Sequence, residues 1–61
     1  MPFIQYEVWG TLEGHEELIE CVGTLKEAEI IAEIEQEFHD EVWILEDTDS
    51  DLKEVKRYQG L

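Results

Sequence analysis

The pattern of apolar and polar residues in the first third of the chain predicts a β-hairpin. Residues 3–12 are rich in aromatic and β-branched side chains, which favour an extended strand. Residues 13–15, with the sequence Glu-Gly-His, are typical of a turn, and residues 18–22 favour a second strand. We therefore expect two strands joined by a short loop.

A helix is predicted to follow. The sequence Thr-Leu-Lys-Glu at residues 24–27 has the form of a capping box, in which Thr24 accepts the backbone N–H of Glu27. The helix should end near His39, and Ile30 should lie at the margin of its apolar face or be exposed. At about 100° per residue the remaining residues separate into an apolar face that packs (Leu25, Ala28, Ile31, Ala32, Ile34 and Phe38) and a polar face (Lys26, Glu29, Glu33, Gln36 and Glu37).

The C-terminal third of the chain predicts a second pair of strands. Residues 41–46 are typical of a central strand, residues 47–51 of a polar turn, and residues 52–58 of a final strand. The order is ββαββ, and the simplest architecture is one helix packed on a mainly antiparallel four-stranded sheet. We expect a single two-layer α+β domain over residues 1–61. The order of the strands within the sheet stays open.

Charge narrows the function more than any motif does. The 61 residues hold 17 Asp and Glu against 4 Lys and Arg, a formal net charge of −13. The charge is also uneven, because residues 1–52 carry sixteen acids and only Lys26, whereas residues 53–61 carry three cations and one acid. Such acidity disfavours direct binding to nucleic acid or to an anionic membrane.

Cysteine usage and the start of the chain indicate a cytoplasmic protein. The single cysteine, Cys21, cannot form an intramolecular disulfide, which is typical of a reducing compartment. The first residues have neither a basic region nor a long apolar run, so we expect no signal peptide. No stretch approaches the ~20 apolar residues of a spanning helix.

The helix carries a regular row of acids. Glu29, Glu33 and Glu37 recur every four residues with no lysine between them, and like charges at this spacing repel. Successive members lie about 6 Å apart along the axis, of the same order as phosphates along a nucleic-acid strand. The row is either a mimic of a phosphate backbone or a solvated helix face, since glutamate is also a good helix former.

The remaining polar residues show no pattern of a catalytic, cofactor or metal site. Asp47, Asp49 and Asp51 resemble the start of a calcium loop, but the glycine and the distal glutamate of such a loop are absent. His39 is expected to close the helix, and Cys21 to be a small core residue. The glycines match no phosphate-binding loop. We expect a protein that is not an enzyme, with no cofactor and no bound metal.

Tryptophans supply the other candidate surface. Trp9 and Trp43 lie on the opposite strand parity from Val8 and Ile44, so they face away from the helix if the helix covers the smaller residues. In that case Phe3, Trp9, Trp43 and Leu45 line an open sheet face. With the opposite parity, the tryptophans lie beneath the helix. Both arrangements are open at this point.

In size, acidity and lack of a catalytic signature, the chain is similar to small phage-encoded inhibitors that imitate DNA. This class includes anti-restriction, anti-CRISPR and uracil-glycosylase inhibitor proteins. The resemblance is one of composition, covers no aligned residues and therefore implies no site. It implies a protein partner with a basic, nucleic-acid-binding surface.

We therefore expect a binding protein that occupies a basic groove on a partner protein. The expected contacts are the helix acids Glu29, Glu33 and Glu37, with help from Glu13, Glu16, Glu17 and Glu20. The alternative is a regulatory adaptor or a homodimer that associates through Trp9 and Trp43 on the sheet face, or through an edge strand.

Overall fold

The computed structural model describes residues 3–60, and it confirms a ββαββ fold with one helix on a four-stranded antiparallel sheet. The predicted element types are all present, although several bounds differ by a few residues. The elements are β1 (Ile4–Leu12), β2 (His15–Val22), α1 (Leu25–Glu35), β3 (Glu41–Thr48) and β4 (Leu52–Gln59).

The first hairpin has a tighter turn and a longer second strand than the sequence predicted. Glu13 and Gly14 have φ values of 54° and 83°, and two consecutive positive φ angles are those of a type I′ turn. This turn matches the twist of paired strands, so β2 begins directly after it, at His15 instead of Leu18. A bulge opposite Val8 and Trp9 adds one residue, Ile19, to β2 and shifts the pairing register by one.

The strand order, which the sequence left open, is β2-β1-β3-β4. Both hairpins are therefore joined at the centre of the sheet by the antiparallel pair β1–β3, in which Trp9 is paired with Trp43. Strands β2 and β4 form the two edges. This order separates acidic β2 from β4, which carries three of the four cations.

The helix begins as predicted and ends earlier. Thr24 accepts the backbone N–H of Glu27 at 3.2 Å and donates its hydroxyl to the Glu27 carboxylate at 2.9 Å. The prediction that the helix ends near His39 is wrong, because α1 ends at Glu35. Beyond it the turn tightens, with the N–H of Phe38 donating to the Glu35 carbonyl at 2.9 Å.

The core lies between the helix and the central strands. Its fully buried residues are Val8, Val42 and Ile44 from the sheet and Ala28 and Ala32 from the helix. The helix thus covers the parity that includes Val8 and Ile44, and the two tryptophans lie on the other face of the sheet.

Three residues that were predicted to pack in the core are exposed. Leu25, Ile34 and Phe38 are 37%, 57% and 60% exposed, respectively. The helix is rotated so that its two alanines approach the sheet, and Ile34 is two residues, or about 200°, away from Ala32. Ile30 is 52% exposed, in line with the prediction that it lies at the margin or outside.

Candidate functional site

Three of the four cations of the chain form ion pairs on the β4 side of the molecule. Lys56 Nζ lies 3.0 Å from Oε2 of Glu29, and Lys53 Nζ lies 3.8 Å from Oε1 of Glu46. The hydrogen bond to Glu29 raises the pKa of Lys56. The sequence predicted that Glu29 would have no compensating cation, and this prediction is wrong because Lys56 pairs with it. The cation comes from the edge strand β4.

Arg57 organises the outer face of the sheet on the same side. Its guanidinium donates to Glu41 at 2.8 Å and to both carboxylate oxygens of Glu54, at 2.6 and 3.1 Å. These bonds, with the pair to Glu54 first, raise the pKa of Arg57, and the same pair lowers the pKa of Glu54. The planar group lies 4.7 Å above the ring of Trp43, a favourable cation–π distance.

The acids of β2 and of the outer helix surface are different. Within residues 3–60, no Lys or Arg forms an ion pair with them. We call these residues the acidic surface: Glu13, Glu16, Glu20, Glu27, Glu33 and Glu37. All six are exposed. The cations of β4 therefore pair with Glu29, Glu41, Glu46 and Glu54, whereas the acidic surface and the aspartates of the β3–β4 turn have no Lys or Arg ion pair within residues 3–60.

Two predicted members of the acidic row have a different setting from the one expected. Glu29 is paired with Lys56, as described above, and Glu37 lies two residues beyond the end of α1. Of the three glutamates in the predicted row, only Glu33 is exposed, lies within α1 and forms no ion pair among residues 3–60. A continuous row of three equivalent glutamates along one helix is thus absent from the described residues.

Glu17, also predicted to bind a partner, contacts His39 within the protein. The His39 side chain is only 6% exposed, with Nε2 3.0 Å from Glu17 Oε1 and Nδ1 3.1 Å from the Glu35 carbonyl oxygen. A protonated imidazole satisfies both acceptors. The hydrogen bond to Glu17 outweighs desolvation and raises the pKa of His39. His39 thus contacts the last carbonyl of α1 from four residues beyond the helix end, whereas the sequence predicted that the helix itself would extend to it.

The tryptophan face is open but partly covered by its own side chains. Trp43 is only 7% exposed, because Arg57 lies over its ring. Trp9 is half-buried, and its Nε1–H donates to Glu7 Oε1 at 2.9 Å. Of the two tryptophans predicted to bind a partner, only Trp9 presents appreciable surface.

Cys21 is exposed on edge strand β2, so the prediction of a small core residue is wrong. It is paired with Glu7 on the face that the helix leaves uncovered. Desolvation, followed by the nearby carboxylates of Glu7 and Glu20, raises the pKa of the thiol. A raised pKa lowers the thiolate fraction and so reduces nucleophilicity.

The aspartates of the β3–β4 turn are used by the fold. Asp49 accepts the backbone N–H of Phe3 at 3.0 Å, and Asp51 accepts that of Leu52 at 2.9 Å. Asp47 accepts a side-chain amide from β1. Among residues 3–60, no group of three or more His, Cys, Asp or Glu side chains is arranged to hold a metal, and this part of the chain encloses no pocket.

The described helix is too short and polar to cross a membrane, and residues 3–60 contain no other helix. No protein-family model matches the chain, and comparisons with curated proteins and with solved structures find no significant match.

Proposed function

We propose that the protein is a non-enzymatic binding protein whose acidic surface occupies a basic surface on a partner protein. The observation that carries the proposal is the division of charge. Lys53, Lys56 and Arg57 of β4 neutralise nearby acids. The six exposed glutamates of the acidic surface have no cationic partner among residues 3–60.

The partner that fits this surface best is a nucleic-acid-binding protein of a reducing compartment such as the cytoplasm. Its basic groove normally neutralises phosphates, and uncompensated carboxylates held on a folded scaffold supply charge of the same sign. The action would be inhibition by occupation of the groove. Exposed charges contribute little to static stability but strongly to the rate of encounter.

Two charge-matched variants test this proposal. The acid-surface variant carries Glu16→Gln, Glu20→Gln and Glu33→Gln, and the paired-acid variant carries Glu41→Gln, Glu46→Gln and Glu54→Gln. Each removes three of the negative charges that make up the net −13, so the two variants differ only in where charge is lost. Circular dichroism verifies that both are folded.

Binding kinetics are measured against the partner retrieved from the source cells at low salt. We expect the acid-surface variant to associate at least about tenfold more slowly, because steering is lost, and the paired-acid variant to stay near the wild-type rate. The wild-type association rate should also fall steeply between about 0.05 and 0.5 M NaCl. Equal rates for the two variants would show that location of charge is irrelevant and would contradict the proposal.

A second candidate is an adaptor or homodimer that associates through the open sheet face. It is favoured by one observation. Trp9 retains exposed surface beside Leu18 of β2, and the outer edge of β2 has no neighbouring strand among residues 3–60. Trp9→Ala separates it from the first candidate. Loss of binding in this variant, with binding that persists at high salt, would favour the sheet face over the acidic surface.

A further inference from the structure

The helix places its small residues inward and large apolar residues outward. Ala28 and Ala32 are fully buried against the sheet, whereas Ile30 and Ile34 are 52% and 57% exposed. Each isoleucine lies two residues, or about 200°, from one of the alanines, so they occupy the opposite side of the helix. The fold does not use these two side chains to cover its core.

Phe38 follows Ile34 by four residues and lies in the turn beyond the end of α1. It is 60% exposed, and the N–H of Glu37 donates to the Ile34 carbonyl at 3.4 Å as the chain turns beyond the helix. We call Ile30, Ile34 and Phe38 the apolar ridge. The two isoleucines lie about 6 Å apart along the helix axis, and Phe38 follows in the adjoining turn.

A single exposed apolar residue requires no explanation, but a row at helical spacing does. Exposed isoleucine contributes nothing to helix formation that alanine or glutamate would not supply better. The ridge is therefore a surface whose apolar area is available to a partner.

Charge beside the ridge restricts what that partner is. Glu33 lies between Ile30 and Ile34 in sequence, and Glu37 precedes Phe38; both are exposed and neither forms an ion pair within residues 3–60. A second copy of this chain would bring these glutamates against each other. A nucleic acid carries charge of the same sign as these glutamates. An occupant with an apolar side flanked by cations satisfies both features.

We propose that the apolar ridge docks a basic amphipathic α-helix of the partner protein. The inference rests on the proposed function and adds to it the chemistry of the contacting segment. Ridges of side chains four residues apart pack between those of a second helix. Apolar side chains of the partner would contact Ile30, Ile34 and Phe38, while its lysines or arginines would approach Glu33 and Glu37.

The test uses a synthetic probe in place of the unidentified partner. The probe is a 14-residue peptide of leucine and lysine at helical spacing, and its comparison peptide has every leucine replaced by serine. Binding to the full chain is measured by calorimetry at about 0.15 and 0.5 M NaCl, where exposed charges are increasingly screened. Amide chemical shifts in NMR spectra locate the site on the protein.

Two variants of matched exposure provide the comparison. The ridge variant carries Ile30→Ser, Ile34→Ser and Phe38→Ser. The control variant carries Ile4→Ser, Leu12→Ser and Leu52→Ser, whose side chains are 49%, 47% and 52% exposed at the ends of strands. The wild-type amide spectrum away from the substitutions verifies that each variant is folded.

We expect the leucine–lysine peptide to bind the ridge variant at least about tenfold more weakly than the wild type, with the control variant unchanged. Its amide shifts should centre on residues 30–38. The serine–lysine peptide should bind all three proteins equally, since it reports charge alone. Equal binding of the leucine–lysine peptide to ridge variant and wild type, or shifts centred on the open sheet face, would overturn the proposal.

Two further outcomes are distinct. A dimer of the free protein at high salt that the ridge variant abolishes, measured by sedimentation, would assign the ridge to a second copy and overturn the proposal. Equal binding of the serine–lysine peptide to the acid-surface and paired-acid variants would contradict the proposed function itself. If this peptide discriminates between them while the ridge variant binds normally, only the ridge inference fails.

Discussion

One substitution, isoleucine to alanine, made at two positions tests whether the helix faces the way the structure shows. Ile44 is fully buried beneath α1, whereas Ile34 is 57% exposed on its outer side. The sequence predicted that Ile34 would pack in the core, and it left open whether the helix covers the sheet face that carries Ile44. Because the chemical change is the same at both positions, a difference in cost reports burial.

The expected costs differ several-fold. Truncation of a fully buried isoleucine to alanine costs about 2–5 kcal/mol, from lost transfer energy and the cavity that remains. Full burial of an isoleucine is worth about 1.5–3 kcal/mol, and Ile34 has less than half its surface removed from water, so Ile34→Ala forfeits at most about 0.6–1.3 kcal/mol. The better helix propensity of alanine offsets about 0.4 kcal/mol of this loss. We expect Ile34→Ala to cost less than about 1 kcal/mol and Ile44→Ala to cost about 3 kcal/mol.

Urea unfolding followed by circular dichroism measures both costs. A domain of this length has a stability of only about 3–9 kcal/mol, so Ile44→Ala could abolish folding. Ile44→Val and Ile34→Val then provide a milder pair, with expected costs of about 1 kcal/mol and near zero. If alanine or valine costs as much at position 34 as at position 44, Ile34 packs in the core and the ridge does not exist.

Three more predictions follow from charges and close contacts. The melting temperature should rise with NaCl from about 0.02 to 0.5 M, because screening relieves repulsion within the acidic surface; a midpoint that stays constant or falls would show that the charges are compensated. The raised pKa of His39 means that its pair with Glu17 stabilises the protein fully below the unfolded pKa of about 6.5, and that this stabilisation is lost as pH rises through the folded pKa. The wild type should therefore lose stability as pH rises above about 6.5, and His39→Gln should remove most of this dependence; a variant that keeps the wild-type slope would assign the dependence to other groups. Gly10→Ala should cost about 1–3 kcal/mol in urea unfolding, because the new Cβ would lie 2.7 Å from His39 Cδ2 and 3.0 Å from Ile19 Cδ1; a neutral result would show that the His39 ring is free to move.

Local patterns were sufficient for the elements and insufficient for their arrangement. The Thr24 capping box placed the helix start correctly because the signal lies within four residues. The helix end depends on contacts with distant segments: Asp40 N–H donates to Thr11, and His39 packs against Gly10. No helical periodicity contains that information. Strand order likewise depends on the β1–β3 pairing, which joins residues about forty positions apart.

The negative charge of the candidate surface could be predicted from the sequence, but the residues that form the surface could not. Composition alone shows the excess of acid, but which acids are compensated depends on where β4 lies. The contact of Lys56 with Glu29 spans 27 residues, and it removes from the row a glutamate that the sequence placed at its start. The ridge was hidden for a different reason. A broad apolar arc can pack through either of its sides, and here the side with Ala28, Ile31 and Ala32 packs against the sheet, which leaves Ile34 exposed.

The separation of charge also has a consequence for how a partner would arrive. With Lys53, Lys56 and Arg57 each held against a carboxylate on the β4 side, the field of the free protein is strongest over the β2 side and the outer helix. A basic partner would therefore be steered toward the surface that also carries Ile34 and Phe38.

Long-range attraction decays within about 10 Å at 0.1 M salt, and apolar contact acts only at the surface, so the two features would act in succession. The acidic surface would set the association rate, and the ridge would set the lifetime of the complex. Substitutions in the two sets should accordingly separate into on-rate and off-rate effects, and a ridge variant that slows association instead would contradict this order of events.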